Sequence, residues 1–187
     1  MSGMFTDVLY LNFTSVSNKK YIFFEVLLPL FLAGLLYLLF RPVDTVIYKI
    51  VVVIGGDNFI HSLRQLINIS SLPEWFVYSL PGGLWLLAFQ NTITWIKRFE
   101  GRWLIHSVLL AFSLGIGLEI LQSVHLTNGV FDWVDVLFYG LATLLSLSNV
   151  WLVKWKWEFY ASNESSPKLV GLAFVAFTVV IYLADIV

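Results

Sequence analysis

Long apolar segments alternate with short polar loops along most of this chain. Five segments approach the roughly 20 apolar residues that a membrane-spanning helix needs. They lie within residues 21–40, 72–96, 103–124, 131–153 and 169–187. Pro29 falls inside the first segment and is expected to kink it. Pro81, Gly82 and Gly83 predict an irregular or broken start to the second.

Residues 46–68 do not fit this pattern. The apolar run 46–54 is too short to cross a bilayer, and Gly55 and Gly56 interrupt it. From residue 57 onward the polar positions follow a helical period and form one continuous stripe: Asp57, His61, Arg64, Gln65 and Asn68. We predict an amphipathic helix that lies on the membrane or dips into it, with a sixth span as the competing alternative. Residues 1–18 are either a short interfacial helix or a loosely ordered terminus.

Composition supports a polytopic membrane protein. Of 187 residues, 59% are hydrophobic and only 12% are charged, and the mean hydropathy is +0.84. We therefore expect an all-α bundle of about five transmembrane helices plus one interfacial or re-entrant helix, formed by residues 1–187 as a single domain. The net charge of −1 argues against a nucleic-acid partner. The absence of cysteine excludes disulfides, iron–sulfur clusters and thiol catalysis.

Lysine and arginine predict the orientation. With five spans and a cytoplasmic N-terminus, the inner side receives eight basic residues: Lys19, Lys20, Lys97, Arg98, Arg102, Lys154, Lys156 and Lys168. The outer side receives only Arg41, Lys49 and Arg64. This asymmetry favours a multi-pass protein of the bacterial cytoplasmic membrane with its N-terminus inside. No cleavable signal peptide is visible, so the first span is expected to remain as an anchor.

The strongest candidate site lies where the third and fourth spans meet. Glu119 and Gln122 share a face near the end of the third span, and Asp132 and Asp135 share a face at the start of the fourth. Only about eight residues separate the two spans, so these faces should lie close together in an antiparallel hairpin. The predicted orientation puts this carboxylate cluster on the outer side of the membrane.

Each of these residues also has a simpler interpretation. Asp132 could cap the fourth span. Glu119 lies well inside its span, where an unpaired carboxylate costs about 2 kcal/mol or more, so it must be protonated, paired or open to water. Its candidate partners are Gln122, Arg64 and His61. On the amphipathic helix, Asp57, His61 and Arg64 could form the wetted face, or His61 and Arg64 could be the basic side of a pocket that grips a phosphate or carboxylate.

Metal and cofactor chemistry finds little support. His61, His125, Glu119 and Asp135 are ligand types, but no HExxH-like spacing relates them. We expect neither a metal nor a cofactor. The runner-up to a binding site is a membrane-embedded enzyme that uses Glu119 and Asp135 as a general acid and base on a lipid head group.

The order of the polar residues resembles the VanZ family of small bacterial membrane proteins. The shared features are a Glu-x-x-Gln at the end of one span, an Asp-x-x-Asp at the start of the next and a small residue after it: Glu119, Gln122, Asp132, Asp135 and Gly140. The segment from Asp57 to His61 is similar to a further family motif, Asp-Lys-x-x-His, with asparagine in place of lysine. The resemblance covers about residues 57–147.

Two departures stand out. The family usually carries an arginine in the loop before the first aspartate, where this chain has Thr127 and Asn128, and an asparagine after the second, where Tyr139 occupies the region. Any anion-binding role of that loop arginine would have to fall to Arg64.

The resemblance implies an envelope role associated with glycopeptide (teicoplanin) resistance. We accordingly expect an outward-facing pocket for an amphiphile, either a lipid-linked cell-wall intermediate or an antibiotic, with membrane lipids as the other partners. Its expected lining is Asp57, His61, Arg64, Glu119, Gln122, Asp132 and Asp135. The third class of possible function is a proton-coupled transporter or a non-catalytic assembly subunit. A transporter would need polar residues that continue toward the cytoplasmic side, and beyond His106 and Ser113 few are expected.

Overall fold

A computed structural model describes residues 20–43, 45–66, 72–96, 102–126, 130–157 and 172–179. Within these ranges the chain is helical with no strand, which confirms the predicted all-α class. The helices are α1 (Ile22–Phe40), α2 (Val46–Val53), α3 (Asp57–Leu66), α4 (Glu74–Ile96), α5 (Arg102–Ser123), α6 (Trp133–Trp157) and α7 (172–179). The predicted interfacial helix within residues 1–18 lies outside the described residues, as does the turn at 127–129.

Three helices in the described ranges are long and apolar enough to cross a membrane. They are Ile22–Phe40, Leu104–Ser123 and Trp133–Trp151, which correspond to the first, third and fourth predicted spans. The second predicted span is the 23-residue helix α4, which carries more polar side chains and buries many of them. The fifth is described only over the eight residues of α7.

Helix α4 lies at the centre of the bundle and packs against α1, α5 and α6. Helix α1 runs antiparallel to α4, and α6 runs parallel to it. The Arg41 guanidinium at the end of α1 lies 4.9 Å from the ring of Tyr78 near the start of α4, and Trp75 stacks on Phe138 near the start of α6. A core of seven buried side chains joins α4, α5 and α6: Leu86, Phe89, Ile93, Leu104, Val108, Ala111 and Ala142. Helix α7 adds Phe177, which stacks on Phe89.

The predicted break at the start of the second span is wrong, because α4 runs as one helix through Pro81. The glycines that follow serve close packing. A Cβ on Gly83 would lie 2.9 Å from the Cβ of Phe138, and a Cβ on Gly82 would lie 3.3 Å from the ring of Tyr139. Gly115 of α5 meets the same ring at the same distance. Small residues thus let α6 lie close to both neighbours, and the ring of Tyr139 is held between them.

Pro29 changes the backbone hydrogen bonding of the helical turns that precede it. The first six residues of α1, Ile22–Leu27, form wider π-helical turns. Pro29 has no N–H to offer the carbonyl of Glu25 four residues earlier. The side-chain amide of Asn91 in α4 supplies the missing donor, with its Nδ2 3.0 Å from the Glu25 carbonyl oxygen.

Helices α2 and α3 form a short bent pair. The bend falls at Gly55, whose φ of 81° suits glycine. Across the bend, the Tyr48 hydroxyl donates to Asp57 at 2.5 Å, and this hydrogen bond raises the pKa of Tyr48. Helix α3 has ten residues, about 15 Å of helix, so it cannot cross a bilayer. The predicted amphipathic helix is confirmed over Asp57–Leu66, while its place at the membrane stays a prediction; within residues 45–66 no single helix is long enough for the sixth-span alternative.

Candidate functional site

Glu119 is buried inside an apolar helix. It is 2% exposed and lies in the second-last turn of α5. Its Oε2 accepts a hydrogen bond from the Asp132 backbone N–H at 3.3 Å, and its Oε1 accepts one from the Tyr139 hydroxyl at 3.4 Å. Both bonds are at the long limit of hydrogen-bond geometry, so the carboxyl group keeps acceptor capacity. Both donors come from the start of α6, as the predicted hairpin requires.

Asp132 has the capping role that was the simpler interpretation. It precedes the first residue of α6, and its Oδ1 accepts from the Val134 backbone N–H at 2.8 Å. This bond satisfies one of the free N–H groups at the helix start. Its side chain is exposed. Asp132 therefore orients α6 through its side chain and contacts Glu119 through its backbone.

Asp135 interacts electrostatically with Glu119, whereas the predicted partner Gln122 makes no hydrogen bond to it. Both are half-buried, Asp135 in the first turn of α6 and Gln122 in the last turn of α5. The carboxyl groups of Asp132 and Asp135 lie close enough to Glu119 to interact with it electrostatically. We call Glu119, Asp132, Asp135 and Tyr139 the Glu119 site. It supplies several carboxylate oxygens, with Asp132 exposed and Glu119 buried.

The predicted basic side of the pocket lies elsewhere. Arg64 donates from Nε and Nη2 to the carbonyl of Leu38, at 2.9 and 2.6 Å, and from Nη2 to the carbonyl of Arg41 at 2.8 Å. It therefore caps the negative C-terminal end of α1. The predicted pairing of Glu119 with Arg64 or His61 is wrong, since the partners of Glu119 come from α6.

The other two predicted ligand-binding residues of α3, Asp57 and His61, also have local partners. His61 lies on the exposed face of α3, with its Nε2 3.2 Å from the amide of Gln65, and Asp57 binds Tyr48. Ligand binding by Asp57, His61 or Arg64 stays a prediction. Metal binding gains no support, because no three acidic or histidine side chains are grouped as ligands in the described part of the chain.

His125 ends helix α5 in a strained conformation. Its φ is 59°, the left-handed region where glycine is usual. Two backbone hydrogen bonds surround it, from Leu126 N–H to the Leu121 carbonyl at 2.9 Å and from His125 N–H to the Gln122 carbonyl at 3.0 Å. This is the Schellman arrangement, in which the C′ position favours glycine. His125 thus occupies the C-terminal capping position of α5.

Replacing His125 with glycine is expected to stabilise the protein by about 1 kcal/mol, because glycine adopts positive φ without steric cost. The unfolding midpoint in dodecylmaltoside micelles should rise. The matched control is His106→Gly, inside the same helix, which should lower the midpoint because glycine weakens a helix interior. A His125→Gly protein that unfolds at or below the wild-type temperature would contradict the assignment.

A second polar cluster lies at the opposite end of the bundle. The Glu25 carboxylate accepts from Asn149 Nδ2 of α6 at 2.7 Å and from Asn91 Nδ2 of α4 at 3.4 Å. The Tyr21 hydroxyl donates to the Asn91 carbonyl at 3.3 Å. We call Tyr21, Glu25, Asn91 and Asn149 the Glu25 cluster. Asn91 and Asn149 are 66 and 124 residues from Glu25 along the chain, so local spacing could not predict these contacts.

Further buried polar side chains lie between the two ends. Gln90 donates from Nε2 to Thr143 Oγ1 at 2.8 Å and to the Val108 carbonyl at 3.3 Å. Ser146 of α6 is fully buried. The expectation of few polar residues along the bundle beyond His106 and Ser113 is therefore wrong. A signal was present in the sequence, because Thr143, Ser146 and Asn149 continue the helical spacing that begins at Asp132.

Comparisons with known proteins add no family or relative. No protein-family model matches this chain, and searches of curated proteins and of solved structures find no match either.

Proposed function

We propose that this chain is a VanZ-like membrane protein of the bacterial cell envelope, whose Glu119 site holds the polar head of an amphiphile. The amphiphile is a lipid-linked cell-wall intermediate or a glycopeptide antibiotic such as teicoplanin. The observation that carries this proposal is the burial of Glu119 inside an apolar helix, with two long hydrogen bonds and two further carboxyl groups beside it. Ionisable groups at such depth usually mark functional sites.

The chemistry of the site limits the kinds of head group that would bind there. Its polar side chains offer mainly acceptor oxygens, and Arg64 is committed to the carbonyls at the end of α1. Among the described residues no cation acts on Glu119, so the donor-bearing part of a lipid-linked intermediate, not its phosphate, would occupy the site. An ammonium or hydroxyl group would instead donate to Glu119 and Asp135. The site therefore suits a head group rich in donors.

The surface around the site suits the rest of an amphiphile. Large apolar side chains near the start of α6 and the end of α5 are exposed: Leu126, Val130, Trp133, Val134 and Leu137. Exposed tryptophan at a span end is typical of the interface between head groups and acyl chains. An acyl tail would lie along this surface while its head reaches Asp132 and Asp135.

The proposal includes five crossings and a cytoplasmic N-terminus. Helix α4 runs beside the three apolar helices and has 23 residues, enough to cross. Helix α7 packs its aromatic side chains on α4 and would belong to the fifth crossing. With the basic loops inside, the Glu119 site opens to the outer leaflet.

Teicoplanin susceptibility tests this function in a susceptible Gram-positive host. Expression of the wild-type chain is expected to raise the minimum inhibitory concentration of teicoplanin above that of the empty-vector strain. Glu119→Gln keeps the shape of the side chain but removes its charge, and should return the strain to the empty-vector level. Asp135→Asn should weaken resistance in the same direction.

The matched control is Glu74→Gln, an exposed carboxylate at the start of α4, at the same end of the bundle. It should leave resistance unchanged. All variants must be present in the membrane at wild-type amounts, measured through a C-terminal fluorescent fusion. Full resistance with Glu119→Gln, or no protection by the wild-type chain, would overturn the proposal.

A further inference from the structure

The Glu119 site and the Glu25 cluster lie at opposite ends of the same helix bundle. On α6, Asp135 belongs to one and Asn149 to the other. Fourteen residues of α-helix separate them, about 21 Å, which is most of the roughly 30 Å hydrocarbon core of a bilayer. The Glu119 carboxyl group therefore lies near one side of the apolar layer, and the Glu25 carboxyl group lies near the other.

Polar side chains fill the interval on one face of α6. Tyr139, Thr143, Ser146 and Asn149 follow Asp135 at offsets 4, 8, 11 and 14, so they share that face. Helix α4 lies along it and contributes Gln90, whose amide binds Thr143 at 2.8 Å. We call Gln90, Thr143 and Ser146 the polar track.

Several atoms on this path are buried without a partner among the described residues. They are Gln90 Oε1, Asn91 Oδ1 and Ser146 Oγ, all on side chains with 0% exposure. A buried polar atom without a hydrogen bond costs about 1–3 kcal/mol. Packing alone gives no reason to keep three of them in the centre of an apolar bundle. Water molecules that carry protons would bind such atoms.

We propose that the polar track carries protons between the Glu119 site and the Glu25 cluster. A proton binds one carboxyl group, passes along the hydroxyl and amide groups with water bridging the longer steps, and leaves from the other carboxyl group. The protein is unchanged and one proton has moved. Among the described residues, the titratable groups that interact with the two carboxyls are Asp132, Asp135 and Tyr139 at one end and Tyr21 at the other. This inference stands independently of the amphiphile proposal.

Proton flux into vesicles tests the track. The full chain is reconstituted in phosphatidylethanolamine and phosphatidylglycerol vesicles that contain pyranine, and a potassium diffusion potential is set with valinomycin. Wild-type vesicles should change internal pH faster than protein-free vesicles. Ser146→Ala should slow this flux about tenfold, equivalent to a barrier increase of about 1.4 kcal/mol. Glu25→Gln should reduce it to the protein-free rate.

Ser146→Ala separates transport from folding, because it removes a hydroxyl that makes no hydrogen bond and so should leave stability unchanged or higher. Its matched control is Ser148→Ala on the same helix, where the exposed hydroxyl donates to the Leu144 carbonyl at 2.7 Å. That variant should keep the wild-type flux. Wild-type flux in Ser146→Ala, or wild-type protein that conducts no faster than empty vesicles, would overturn the proposal.

Discussion

Replacing Asn149 with leucine is expected to destabilise the bundle by about 2 kcal/mol, because hydrogen bonds to a carboxylate contribute roughly 1.5–3 kcal/mol. Asn149 donates to Glu25 at 2.7 Å and connects the start of α1 with the far end of α6. Leucine has a similar volume but no donor, so a carboxyl group would lose its shortest bond inside the membrane. The loss should appear as a lower unfolding midpoint in dodecylmaltoside and earlier unfolding in sodium dodecyl sulfate.

A double-mutant cycle assigns this loss to the contact itself. Glu25→Gln, Asn149→Leu and the double variant should give a coupling energy of about 1–2 kcal/mol, above the roughly 0.6 kcal/mol average for polar contacts in membrane proteins. Ser148→Leu, one residue away on the exposed side of α6, serves as the control and should be neutral. A coupling energy near zero would show that Glu25 does not depend on Asn149.

Placing a methyl group on Gly83 should destabilise the protein by a similar amount, about 1–3 kcal/mol, because overpacking forces backbone shifts. The new Cβ would lie 2.9 Å from the Cβ of Phe138, an atom that moves only with its backbone. Gly83→Ala should therefore separate α4 from α6 and lower the unfolding midpoint. The same displacement would move Tyr139, the neighbour of Phe138, away from Glu119.

Gly140→Ala is the matched control for Gly83→Ala. A Cβ on Gly140 meets no atom within 4 Å, so alanine should raise helix stability by up to about 1 kcal/mol. The two variants make the same chemical change on two helices that pack together. Equal unfolding midpoints for them would contradict the close approach of α4 and α6.

Local spacing predicted the features that depend on neighbouring residues. The apolar segments predicted α1, α5 and α6, the polar stripe predicted α3, and a capping aspartate was anticipated at residue 132. The short loop between α5 and α6 brought Glu119 next to Asp132 and Asp135. In each case the relevant residues lie within one helix or on both sides of one turn, where helix geometry and chain length decide the outcome.

Distant pairings escaped prediction for the complementary reason. A helical period shows which residues share a face, but it does not show which helix packs on that face. Arg64 binds the end of α1, 26 residues earlier, while the expected partner was Glu119. Glu25 meets Asn149 across 124 residues. Gly83 looked like a helix breaker because its role as a packing site depends on Phe138 of α6.

The contact between Asn91 and the Glu25 carbonyl has a consequence for biogenesis. During synthesis α1 is made before α4, with a carbonyl that Pro29 leaves without a donor and a carboxyl group beside it. Only when α4 has been made can Asn91 satisfy that carbonyl, and Asn149 arrives later still. We expect the nascent first helix to stay near the insertion machinery, or in contact with an insertase, until its later partners emerge.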